Sequence, residues 1–365
     1  MKPAAVSGRI LTPSGWVNGR LDFTDRVLGL TETHDIPEQF VLPGFIDLHV
    51  HGGHGVDIMA GGDSAQHVAR AHAQHGTTAM LGTTMTAPDA DIKAALQGLG
   101  QAILHRAPGA ARLLGVHLEG PYLHPQRLGA QPPMVSVATV QAVRRYMALA
   151  PIRVLTLAPE LDGHLEVISE LTALGLRVQI GHTTGSYEQG VAALRAGAAG
   201  FTHFFNAMTG LNHREPGMVG AALAHAQYAE LIPDLHHVHA GAMLAALRAI
   251  PHLYCVSDAT AATDMPDGEY SLGSQAVFKC LGCVRLASGA LAGSALTMDQ
   301  ALRNLISIGL DLDDASHRLS RNPARYLGLP DRGRLDLGCW ADIVVIDRQH
   351  QLKQVFVEGE AITLA

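Results

Sequence analysis

The chain has 365 residues, 47% of them apolar, a formal charge of −7 and four cysteines. That is enough apolar mass for one large core, or for one core and a small satellite. The mild acidity and the lack of a Lys/Arg run argue against nucleic acid or an anionic membrane as the main partner, which leaves a small molecule.

From the N-terminus, residues 1–42 hold short strand candidates, Ser7-Thr12, Trp16-Val17 and Leu21-Thr24, broken by Pro13, Gly15 and Gly19. The first residues lack a continuous apolar run and no stretch reaches spanning length, so the expectation is a cytoplasmic protein. From Phe45 onward, strand-type apolar runs alternate with helix-type segments. Eight such runs are readable: Phe45-His51, Thr77-Thr83, Leu113-Glu119, Val154-Ala158, Val178-His182, Phe201-His203, Ala229-Pro233 and Leu253-Ser257. Between them, Ser64 is placed to cap a helix stopping at Gly76, Asp89 to cap Ile92-Leu104, Asp162 to open one ending at Gly175, and Ser186 one ending at Gly197. Eight parallel strands with helical crossovers make a (β/α)8 TIM-type barrel. A doubly wound open sheet is the runner-up, but it wants a nucleotide fingerprint that the sequence lacks.

Cys280-Leu281-Gly282-Cys283 is a CxxC without a second CxxC or a thioredoxin-like surround, and it reads as a turn between two strands. Residues 333–365 return to the style of the N-terminus, with Ala341-Ile346 and Lys353-Val357 as strands. Two strand-rich ends flanking a barrel pair into one small β-sandwich, so the expected organisation is 1–43 and 331–365 as the sandwich and 44–330 as the barrel.

A barrel builds its active site at the C-terminal ends of its strands. His49, His51, Glu119, His182, His203 and Asp258 all fall there. His49 and His51, spaced i, i+2, leave the same face of the chain. Glu119, His182 and His203 supply three ligands and leave a fourth position open, as in a catalytic zinc-type site. A carboxylate such as Glu119 can also bridge two ions.

Five motifs occur in order: PGFIDLHVHG at the first strand, HLEGP from His117, GHT from Gly181, THFFNAM from Thr202 with REPG at Arg214, and SDAT at Ser257. With LAGS at Leu291 and the C-terminal ADIVV strand, the set resembles the N-acetylglucosamine-6-phosphate deacetylase family of the amidohydrolase superfamily over nearly the whole chain. The resemblance implies a metal-dependent hydrolase of amino sugar metabolism that removes acetate from N-acetyl-D-glucosamine 6-phosphate. It implies Asp258 as general base and then general acid. Some members carry both histidines of the first strand and use two ions, so two ions are expected here, zinc or iron suiting a His-rich site. A one-ion site in which His49 and His51 hold water or substrate is the alternative. The resemblance further implies a phosphate site of Arg214, Asn206, Ala207 and His237. In such proteins the arginine reaches the neighbouring subunit, which implies a homodimer.

Two departures fall where substrate would lie. The family's Gly-Ala-His segment is Gly129-Ala130-Gln131 here, and Gln131 can hydrogen-bond but cannot carry charge. Its Ala-Asp-Gly-x-His segment is Pro233-Asp234-Leu235-His236-His237. Both leave open the C4 epimer, N-acetylgalactosamine 6-phosphate, or another N-acyl amino sugar phosphate. A cyclic-amide or deaminase-type amidohydrolase is more distant, because the fourth strand offers no lysine to bridge metals. A non-catalytic scaffold of the same fold is weakened by the intact ligand set.

Overall fold

The structure is a computed structural model that describes residues 2–35 and 37–364. All eight barrel strands are present, the second, third and fourth one residue longer than their apolar runs and the other five shorter: Phe45–Asp47, Thr77–Thr84, Arg112–Glu119, Ile152–Leu157, Arg177–Ile180, Gly200–Phe201, Glu230–Leu231 and Tyr254–Cys255. The first six form one parallel sheet in chain order and the last two a parallel pair. Two sets of backbone bonds close the ring. Phe204 N–H donates to Glu230 O at 2.8 Å, joining sixth to seventh, while Asp258 N–H donates to His49 O at 3.0 Å and His51 N–H to Ala259 O at 2.8 Å, joining eighth to first. Because helices cover the outside, residues on both faces of these strands are buried, which is why they read as continuous apolar runs.

The helices fall where periodicity placed them, but three of the four caps differ. Ser186 caps Tyr187–Ala196 in a capping box with Gln189, and Gly197 ends that helix at φ 111°. Ser64, by contrast, is the first helical residue behind Asp63, and its hydroxyl donates to Ile58 O at 3.2 Å. Asp89 begins its helix behind Pro88 and its carboxylate accepts from Tyr146. Gly163, at φ 77°, precedes His164–Ala173 in place of Asp162. After the eighth strand comes a three-stranded antiparallel sheet, Gly268–Leu272, Gln275–Cys280 and Cys283–Leu286. Cys280 pairs with Cys283 across a two-residue turn in which Leu281 and Gly282 have φ of 51° and 79°, so the CxxC is a hairpin turn.

The chain ends meet in one seven-stranded sheet, in which Gln39–Pro43 pairs in parallel with Ala4–Thr12 and antiparallel with Ile343–Asp347. That sheet curls over a core of its own. Phe23 and Phe356 lie on strands separated by three others, yet their rings meet edge-on with centroids 5.0 Å apart. Alternate residues of the same strands, Leu42, Val344 and Ile346, face the main core instead. Gly19 does not break its strand, Gly15–Phe23: a Cβ there would lie 2.5 Å from Thr31 O, so glycine permits the close approach of the neighbouring strand.

An ion cluster fastens this sheet to the barrel. Glu358 accepts from Arg112 of the third barrel strand at 2.7 and 2.8 Å, from Arg106 at 3.3 Å and from Arg332, which also binds Asp342; Glu360 takes the other arm of Arg106 at 2.6 Å. Burial raises the Glu358 carboxyl, but Arg112 and Arg332 outweigh it and bring it from 4.5 to about 2. Asp342 is shifted upward by burial. Replacing Glu358 by Gln strands buried guanidinium charge and is expected to cost about 3–5 kcal/mol, read from denaturant midpoints at pH 7. A carboxylate with a depressed pKa contributes fully above its unfolded value and loses that contribution as pH falls toward its folded one. The gap between wild type and Glu358→Gln should therefore narrow below about pH 4.5; a gap that stays constant down to pH 3 contradicts this.

Candidate active site

The six strand-end residues converge in one buried cluster. Glu119 divides its carboxylate between two histidine pairs. Its Oε1 lies 3.1 Å from His182 Nε2 and 3.1 Å from His203 Nε2, which are 3.0 Å from each other. Its Oε2 lies 3.2 Å from His51 Nε2 and 3.6 Å from His49 Nε2, themselves 3.1 Å apart. Asp258 Oδ1 stands 3.4 Å from each of those last two nitrogens. Glu119, His182 and His203 form one set able to hold a cation, and His49, His51 and Asp258 another.

The donor chemistry fits a divalent ion. His182 Nδ1 lies 2.7 Å from Arg127 O, an acceptor only, so that nitrogen carries a proton and Nε2 of the neutral ring presents a bare lone pair. His49 Nδ1 likewise faces the Glu230 carboxylate at 3.0 Å. Lone pairs of imidazole and carboxylate thus point at one another at hydrogen-bond distance, an arrangement that a shared cation stabilises. With protons alone the same attraction is visible. Burial lowers His51, yet hydrogen bonds to Asp258 and Glu119 raise it to about 9. Burial raises Asp258, yet the charges of His49 and His51 bring it to about 2, and Glu119 is held well below its usual range against the same desolvation.

The backbone turns these side chains inward at some cost. His182, His203 and Asp258 have φ of 50°, 30° and 51°, a region L-residues avoid, each two or three residues beyond the end of its strand. Each costs on the order of 1–3 kcal/mol. Strain of that kind collects where function dictates geometry.

Gln131, Asn206, Ala207 and His237 line the same cavity, with Met85, Ile232, Leu272 and Leu291 as its apolar wall. Gln131 Nε2 donates to Glu119 Oε2 at 2.7 Å while its Oε1 accepts from Thr86 N–H at 2.7 Å, so it holds the shared carboxylate and, among the described residues, keeps one N–H without a partner. His237 is fixed by Asp234 at 2.7 Å, a pairing that raises its pKa despite burial. Leu235 takes φ 65°, a glycine-favouring conformation where the resembled motif has glycine. Arg214 is exposed on the loop after His203 and does not line the cavity; among the described residues no Lys or Arg does. Glu230 and Thr86 belong to none of the five motifs. An acid inside the apolar run Ala229-Pro233 was the available signal for the first, whereas Thr86 acts through its backbone and leaves none.

Residues 40–362 match the model of the amidohydrolase family. The chain belongs to that family. Among relatives of this amidohydrolase, N-acetylgalactosamine-6-phosphate deacetylase of Escherichia coli O157:H7 is 39% identical, over 96% of this chain and 97% of its own. N-acetylglucosamine-6-phosphate deacetylase of Vibrio furnissii is 38% identical, over 88% and 82%. Among solved structures, N-acetylglucosamine-6-phosphate deacetylase of Thermotoga maritima superposes with a TM-score of 0.92 at 29% identity, covering 99% of this chain and 100% of that one. An aspartate-to-alanine variant of the Mycobacterium smegmatis enzyme, in complex with N-acetyl-D-glucosamine 6-phosphate, gives 0.91 at 31% identity, covering 100% of both chains.

The tight packing behind this amidohydrolase's Glu119 is testable at Gly120. A Cβ there, at φ 83°, would fall 2.1 Å from Thr86 Oγ1 and 3.0 Å from Thr86 N, the group that anchors Gln131. Gly120→Ala should destabilise the protein by about 1–3 kcal/mol, seen as a lower melting temperature. An unchanged melting temperature would show that Thr86 yields freely.

Proposed function

We propose that this amidohydrolase removes the acetyl group from N-acetyl-D-glucosamine 6-phosphate, releasing glucosamine 6-phosphate and acetate in a metal-dependent reaction. The observation that carries the reading is the division of Glu119 between His182/His203 and His49/His51, with Asp258 facing the cluster across the cavity floor. Glu119, His182 and His203 would hold one ion and His49, His51 and the second oxygen of Glu119 another, zinc or iron suiting imidazole with carboxylate. A bound ion supplies Lewis acidity, polarising an amide carbonyl and acidifying water.

The chain's own residues do the rest. Asp258, ionised at neutral pH, takes a proton from the attacking water as its oxygen adds to the acetyl carbon. It then returns that proton to the amide nitrogen as the C–N bond breaks, because an amine anion is too poor a leaving group. Gln131 has a spare amide N–H with which to orient the acyl oxygen. Met85, Leu272 and Leu291 exclude water from the acetyl methyl. Ala207 offers the phosphate its backbone N–H and His237 a positive imidazole, while Asn206, whose N–H groups donate to His203 O and Phe204 O, holds the loop that presents them. The described lining contains no Lys or Arg, which supports Arg214 of the partner subunit as the remaining cation, and hence a homodimer.

The E. coli relative supports a second reading, the same reaction on N-acetylgalactosamine 6-phosphate. Acetate release from both phosphorylated hexosamines and their unphosphorylated forms, with zinc and with ferrous ion, decides between them; no release from any phosphorylated sugar would refute both. Asp258→Asn should keep the ion held by Glu119, His182 and His203 while lowering turnover by about 100-fold or more; near-normal turnover would remove Asp258 from its role. Arg214→Ala should raise KM for phosphorylated sugars and leave unphosphorylated ones unaffected, and equal losses on both would contradict the phosphate assignment.

A further inference from the structure

Beneath the proposed metal residues, the barrel interior holds a ring of buried polar side chains where branched apolar residues are the usual filling. One comes from each strand from the third to the eighth, or in the case of Thr202 from the residue just after the sixth: His117, Thr156, Gln179, Thr202, Glu230 and Tyr254, each with no exposed surface. They lie in series, each within hydrogen-bond distance of the next. His117 Nε2 lies 2.7 Å from Thr156 Oγ1, which lies 2.7 Å from Thr202 Oγ1. Thr202 donates to Gln179 Oε1 at 2.7 Å, Gln179 Nε2 to Tyr254 OH at 2.7 Å, and Tyr254 OH to Glu230 Oε1 at 3.1 Å. His117 Nδ1 closes the far end on Leu48 O at 3.1 Å. Buried polar groups are costly when left without neighbours of their own kind, and here each has one.

The chain meets the site through Glu230. Its Oε1 is occupied by Tyr254, while Oε2 accepts from His49 Nδ1 at 3.0 Å and from His203 N–H at 3.3 Å. Neither Lys nor Arg pairs with this buried carboxylate in the described structure. His49, His117 and Glu230 also lie close enough to suggest a cation site of their own. Their atoms are already spent, since both nitrogens of His117 face Leu48 O and Thr156, and His49 has one nitrogen for Glu230 and one for Glu119 and His51.

We infer that Glu230 is the positioning residue for the second ion: its carboxylate, set by Tyr254, holds His49 as the Nδ1–H tautomer with Nε2 aimed beside Glu119 and His51. A carboxylate behind a ligating imidazole fixes the ring and makes it the stronger donor. This inference rests on the two-ion reading, and its test separates the two.

Chelator-stripped wild type, Glu230→Met, Glu230→Gln and Tyr254→Phe are titrated calorimetrically with zinc and followed by cobalt absorption. Wild type should take two equivalents. Glu230→Met should bind the second about 10–100-fold more weakly, with an altered cobalt spectrum for that equivalent and the first unchanged. Glu230→Gln keeps a carbonyl oxygen for His49 and should recover part of the loss. Tyr254→Phe, which touches no proposed ligand, should weaken the second equivalent in the same direction. Two equivalents with wild-type affinity and spectrum in Glu230→Met overturn the inference while the two-ion site stands. If Glu230→Met fails to melt cooperatively, wild-type second-ion binding in both Glu230→Gln and Tyr254→Phe overturns it. One equivalent in wild type removes the second ion and this inference together, and acetate release then judges the deacetylase reading by itself.

Discussion

Lone pairs brought together out of water repel one another unless something positive lies among them, and the mouth of this barrel is organised around that fact. Glu119 is the hinge of the arrangement because its two oxygens face different histidine pairs. The closed barrel makes the meeting possible: it is narrow enough that residues from the first, third, fifth, sixth and eighth strands reach one point. The same side chains on an open sheet would lie in a row, with adjacent strands roughly 4.8 Å apart.

Holding such a cluster requires a frame that does not relax. Left-handed backbone at His182, His203 and Asp258 is tolerated because the neighbouring residues are fixed by ring-closing bonds, such as Asp258 N–H to His49 O. The polar ring below gives those strands matched partners rather than interchangeable apolar contacts, so one register is favoured over its slips. The inserted sheet roofs the cavity from the other side, bringing Leu272 against Met85 and pairing Asp57 with Gly273 N–H at 2.7 Å. Site geometry is thus set by the scaffold on three sides.

The strands and the residues at their ends were legible in the amino-acid sequence because each is a local pattern, an apolar run followed by His, Glu or Asp. Caps were less so: Ser64 and Asp89 have capping chemistry, but Ile58 O, in the preceding turn, and the Tyr146 hydroxyl, 57 residues away, claim their side chains. Gly19 looked like a break because the strand edge that requires its missing Cβ lies in another segment. Glu230 shows in the sequence as an acid within an apolar run, but its role does not, for the same reason. Its meaning resides in Tyr254 and His49, and neither neighbours it until the barrel closes. The short alternating strands of Gly268–Leu286 sit in a mostly exposed segment and carry little apolar signal beyond the turn at Leu281-Gly282.

The pairing of the two chain ends also orders events at the ribosome. Pro43 finds Ile343 as its antiparallel partner about 300 residues later, an interval of roughly 15–60 s at about 5–20 residues per second. Until then Gln39–Pro43 keeps one edge bare, Phe23 lacks the ring of Phe356, and Arg112 is without Glu358. The N-terminal strands are thus made long before their C-terminal partners and complete their contacts late, and a nascent chain stalled before Arg332 would leave an unpaired strand edge exposed.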